Sequence, residues 1–67
     1  MPVDYEAMKK QLPILKRRLT QAKKKGPDAV KKAVSEAFEV FERIGYPDNW
    51  SLWERAKDDA EFAQRFL

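Results

Sequence analysis

Glu54, Asp58 and Glu61 recur at spacings of four and three, with Asp59 beside them. On a helix such spacings gather carboxylates on one face, and grouped carboxylate oxygens are what a hard cation takes as ligands. This is the best metal candidate in the chain. No loop oxygen or further acid at a fixed spacing completes a coordination shell. Arg55, Lys57 and Arg65 are interspersed among the acids. A solvated acidic face is therefore the favoured reading, and no metal site is expected.

Catalysis has little else to draw on. The chain contains no histidine and no cysteine, which removes the usual general base near neutral pH and the most nucleophilic side chain. Tyr5, Tyr46, Thr20, Ser35 and Ser51 remain beside the acids and lysines. The two glycines, Gly26 and Gly45, lie far apart and cannot form a phosphate-cradling loop. Neither an enzyme nor a cofactor is expected.

Charge is the stronger signal. From Ala7 to Pro27 there is no acidic residue, while Lys9, Lys10, Lys16, Arg17, Arg18, Lys23, Lys24 and Lys25 all fall in that stretch. Residues 1–32 carry ten basic and three acidic side chains; residues 33–67 carry four basic and eight acidic ones. One half attracts anions and the other repels them. Lys9, Lys16 and Lys23 are spaced by seven, as are Lys10, Arg17 and Lys24, so both rows run along a helix. Most surface helices mix signs, because opposite charges four apart stabilise by a few tenths of a kcal/mol. These rows do not mix. They are either a solvated face built from lysine or a binding face, and the cations near Lys25 also complement a helix C-terminus.

Tyr46, Trp50 and Trp53 form the second unusual cluster. Aromatic side chains of this kind are common at binding hot spots and also plug the ends of small bundles. Trp53 is in phase with Ala56 and Ala60 and is expected in the core. Tyr46 and Trp50 are candidates for either role. Ile14 and Leu52 fall outside the main stripes and would extend an apolar contact patch.

Three helices are expected to position these groups, at about 4–25, 27–44 and 50–66. Tyr5, Met8, Leu12, Leu15, Leu19 and Ala22 make one stripe with a mean spacing near that of a coiled-coil seam. Asp4 is the expected N-cap and Gly26 the expected stop, in a left-handed conformation. Pro13 lies inside this pattern. The stripe keeps its phase across it, which favours one kinked helix over a break. Pro27 and Asp28 suit the first turn of helix 2, which carries two adjacent apolar rows before Gly45, one through Val30, Val34, Ala37, Phe41 and Ile44 and one through Ala33, Ala37, Val40 and Ile44, with Phe38 widening the face. Two rows need two neighbours, so helix 2 should lie between the others. Tyr46-Pro47-Asp48-Asn49 reads as a turn, and Ser51 with Glu54 as a capping box, Asp48 being the rival cap. Trp53, Ala56, Ala60, Ala63 and Phe66 or Leu67 complete the buried stripe of helix 3.

The expected fold is an all-α, single-domain three-helix bundle, with helices 1 and 2 as an antiparallel hairpin and helix 3 packed on helix 2. With 67 residues and no cysteine, its core must hold without disulfides. No apolar run approaches the ~20 residues of a membrane span, and no apolar leader is apparent. A soluble, cytoplasmic protein without membrane contact is expected.

The function expected is a non-enzymatic binding module that recognises another protein, or a second copy of itself, through an exposed helix face. Whether such a scaffold is natural or engineered is not written in its composition. The candidate contact residues are Lys9, Lys10, Lys16, Arg17, Lys23, Lys24, Tyr46 and Trp50. The alternative is sequence-independent nucleic-acid binding through helix 1. Against it, the acids of helix 3 would repel phosphates, and no aromatic residues interleave with the lysines to stack on bases.

Overall fold

Asp4 begins the first helix as expected: its Oδ1 accepts from the Ala7 N–H at 3.1 Å. The computed structural model describes residues 3–67. Helix α1 runs Tyr5–Lys25, α2 Pro27–Ile44, α3 Trp50–Asp58 and α4 Ala60–Phe66, so the chain is all-α. Pro13 lies inside an uninterrupted α1. It is exposed, so its ring disturbs no packed surface, and the cost is confined to one missing backbone donor and a crowded turn.

Helix α2 packs against each of the other three helices, and α3 and α4 pack on one another. Val30, Val34, Ala37, Phe38 and Phe41 of α2 are buried together with Leu15 and Leu19 of α1 and Trp53 of α3. The two apolar rows of α2 thus find two partners. Antiparallel pairing with α1 brings the chain's start to the end of α2, where the Asp4 N–H donates to the Ile44 carbonyl at 2.8 Å.

Where one long helix was expected over residues 50–66, two short ones occur. Asp59 stands between them in extended backbone, φ −136° and ψ 93°, and its carboxylate caps the Phe62 N–H at 3.0 Å. A side chain that offers the backbone an alternative acceptor competes with helix continuation, and aspartate does this readily. The bend brings Phe62 into the core; of Phe66 and Leu67, one of which was expected inside, Phe66 is 63% exposed and Leu67 is partly buried against the core. The capping box also fails to form: α3 starts after Asn49, with no side-chain cap hydrogen bond. The turn that leads into it closes through the Trp50 N–H on the Pro47 carbonyl at 3.0 Å, and its first turn through the Leu52 N–H on the Asn49 carbonyl at 3.0 Å.

Two of the three interhelix connections rest on glycine. Gly26 has φ 132° and ψ 178°, and Gly45 has φ 104° and ψ 168°. Neither is the compact left-handed helical conformation expected for Gly26; both are extended backbone of positive φ, open essentially to glycine alone. Their surroundings differ. A Cβ on Gly45 would lie 2.8 Å from the Val3 Cα, whereas one on Gly26 would meet nothing within 4 Å.

Two stability measurements follow from this geometry. Gly26→Ala and Gly45→Ala should each lose of order 1–3 kcal/mol from backbone strain. Gly45→Ala should lose about 1 kcal/mol more, because the Val3 backbone must also move. Equal urea-unfolding midpoints for the two variants would contradict the close approach of Val3. Pro13→Ala should stabilise the protein by up to about 3 kcal/mol, since it restores a helix-interior donor at an exposed position. A lower midpoint in that variant would count against a continuous α1.

Candidate functional site

Lys9, Lys10, Lys16, Arg17, Arg18, Lys24 and Lys25 of α1 are all exposed. One ion pair forms among the described residues, Arg65 to Glu61 at 3.9 Å on α4. None of these seven α1 cations forms an ion pair with an acidic side chain of the same molecule. The helix can tolerate this because its apolar face is anchored by Leu15, Leu19 and Ala22 against the core. Repulsion between neighbouring solvated cations costs only a few tenths of a kcal/mol per pair.

Lys23 differs from the other candidates. It is half-buried, and its Nζ donates to the backbone carbonyl oxygen of Leu67, tying the last turn of α1 to the end of α4. The expectation of a fully exposed Lys9–Lys16–Lys23 row is corrected there. Spacing along one helix places a lysine on a face, but it carries no information about a carbonyl forty-four residues away.

Beside the cations, α1 presents apolar surface that its own fold leaves open. Tyr5, which begins the apolar stripe of α1, is 76% exposed. Together with Met8, Leu12 and Pro13 it lines a shallow groove of about 390 Å³, with Lys9 and Lys16 at its edges. Leu12 is only half-buried. A second open cavity, of about 310 Å³, lies where Lys16 and Thr20 of α1 approach Asn49, Trp53 and Phe66. The Trp53 indole N–H is buried and has no hydrogen-bond partner among the described residues. The indole stays inside because its ring packs edge-on against Phe41, centroids 5.3 Å apart.

Tyr46 and Trp50 sit at the end of the aromatic core. The Tyr46 ring lies 6.1 Å from both Phe38 and Phe41, and Trp50 tilts over Tyr46 at 6.4 Å. Each remains nearly half exposed, so one side of each ring packs inward and the other faces solvent. Lys57 and Arg55 cover the remaining aromatic faces, over Phe38 at 4.7 Å and Phe62 at 4.3 Å. Such cation–aromatic contacts contribute about 0.5–1 kcal/mol at exposed sites.

The acidic face is divided by the helix break. Glu54 and Asp58 belong to α3, Glu61 to α4, and Asp59 spends a carboxylate oxygen on the Phe62 N–H. Among the described residues no three acidic side chains come together in a way that could hold a metal ion. No helix among them is long and apolar enough to cross a membrane. No protein-family model, curated protein or solved structure matches the chain.

The Lys23 contact is open to a direct test. Lys23→Met should lower stability by about 1 kcal/mol, the scale of a partly solvated hydrogen bond to a charged donor. Lys24→Met, at an exposed position, should stay within about 0.5 kcal/mol of the parent. Equal unfolding midpoints for these two variants would remove Lys23 from the set of structural residues and return it to the exposed face.

Proposed function

We propose that this protein is a non-enzymatic binding module whose basic α1 recognises an acidic surface on another protein. The observation that carries the reading is the unpaired state of the α1 cations: seven are exposed, and none meets an acid of its own molecule. Their long-range field would speed encounter with an acidic partner and disfavour a basic one. The lack of histidine and cysteine supports a binding role over a catalytic one. An expected cytoplasmic location and a compact three-helix description, with α3 and α4 as one bent third element, belong to the same reading. Tyr46 and Trp50 would serve as a secondary aromatic contact at the end of the bundle.

Nucleic acid is the competing anion, and the acids of α3 and α4 count against it because Glu54, Asp58, Asp59 and Glu61 are exposed. The row formed by Lys10, Arg17 and Lys24 separates the two. All three are exposed, so reversing them to glutamate should leave the melting temperature close to that of the parent. Association with poly-L-glutamate, as a stand-in for an acidic protein surface, should be lost in the reversed variant and weakened by salt in the parent. If the parent binds a short DNA duplex at physiological salt and poly-L-glutamate cannot displace it, the nucleic-acid reading takes over. The salt slope would then fall by about 0.9 for each phosphate contact removed.

A further inference from the structure

We infer that the groove on the flank of α1 is the seat of an acidic amphipathic helix from a protein partner, with Tyr5 and Leu12 as apolar anchors and Lys9 and Lys16 as its charged groups. The inference rests on the reading of α1 as a protein-binding face and specifies what that face takes.

Three observations converge on it. The first is the missing neighbour. α1 packs extensively on α2, whereas α3 and α4 pack on α2 and on each other. The apolar stripe of α1 therefore has a helix to bury Leu15 and Leu19, but Tyr5 and Leu12 are left open or half open. The second is the shape. Tyr5, Met8, Leu12 and Lys16 follow one another at spacings of three, four and four, and the groove they line runs about three turns, roughly 16 Å at 1.5 Å per residue. A straight groove of that length beside a helix accepts the ridge of another helix, read through anchors three, four and seven residues apart. A partner β-strand would need an open sheet edge to pair with, and the described residues contain no strand.

The third observation is charge, which selects the occupant. Lys9 and Lys16 are the two charged residues of an otherwise largely apolar lining, and no acid occurs on α1 between Ala7 and Pro27. A second copy docked α1 on α1 would bring these cations against their own equivalents, a juxtaposition that costs several kcal/mol. A phosphate backbone would satisfy the lysines and leave Tyr5 and Leu12 uncovered. A helix with leucines on one face and glutamates beside them satisfies both parts.

Three synthetic probes test this with the full chain by fluorescence anisotropy: an amphipathic Leu/Glu helix, an isomer of identical composition with its leucines scattered around the helix, and poly-L-glutamate. The amphipathic peptide should bind at least about tenfold more tightly than its isomer, the effect of one well-buried anchor or more. Tyr5→Ala should weaken it by about tenfold without changing the circular-dichroism melt, since Tyr5 is largely exposed. The pair Lys9→Glu and Lys16→Glu should abolish binding of both peptides. If the isomer and poly-L-glutamate bind as well as the amphipathic helix, the groove is not a seat and only the charged-face reading survives. If no acidic probe binds, both readings fall. A concentration-dependent dimer in sedimentation, dissociated by Tyr5→Ala, would instead make a second copy the occupant and overturn the inference.

Discussion

The ring of Phe41 is where the structure is held together. It meets Trp53 edge-on at 5.3 Å, Phe38 at 5.7 Å and Tyr46 at 6.1 Å, so one side chain of α2 joins α3, the connecting turn and its own helix. Edge-to-face aromatic pairs contribute about 0.5–1.5 kcal/mol each beyond the area they bury. In a chain with no disulfide to restrict its unfolded state, that cluster and the aliphatic layer of Leu15, Leu19, Val30 and Val34 must supply the cohesion. It also explains why Trp53 remains inside with its N–H unpaired: withdrawing the indole would open the contact on which α3 depends.

A second constraint follows from the first. α2 must be covered on two sides, and the segment after the Gly45 turn is short. By bending at Asp59, that segment presents Trp53 and Ala56 from α3 and Phe62 and Ala63 from α4 to the core. The bend concentrates coverage on α2 and leaves α1 with one extensive neighbour. The openness of the α1 groove is thus a consequence of how the remaining chain was spent on burying α2. Charge falls into the same division, since the helix with an uncovered flank is the one that carries the acid-free basic run after Ala7.

These features make the two sides of the molecule unlike in chemistry. α3 and α4 place acids, an intrahelical pair and cation–aromatic contacts around packed rings. α1 places cations and an apolar strip where no group of the protein answers them. Cations alone attract any anion, and an apolar strip alone attracts any greasy surface. Their combination narrows recognition to a surface with both properties, arranged along a helix-length line.

Much of this was legible in the sequence. The bounds of α1 and α2, the Asp4 cap, Pro27 at the start of α2, and the burial of Leu15, Leu19, Val34, Phe38, Phe41 and Trp53 all follow from local rules: caps, glycine stops and apolar spacing depend on residues within a few turns. The exposure of Lys9, Lys10, Lys16, Arg17 and Lys24 follows from the same periodicity. Tertiary structure alone decided the rest. Asp59 looks like any acid on a helix face until the core's demand for Phe62 makes bending there more favourable than continuing. Lys23 lies in phase with Lys9 and Lys16, and only the return of α4 brings the Leu67 carbonyl to it. Tyr5 belongs to the apolar stripe by spacing, yet whether a stripe is core or surface depends on a neighbour reaching it, and the chain places its remaining helices elsewhere. Periodicity determines which face of a helix is apolar; the path of the whole chain determines what covers it.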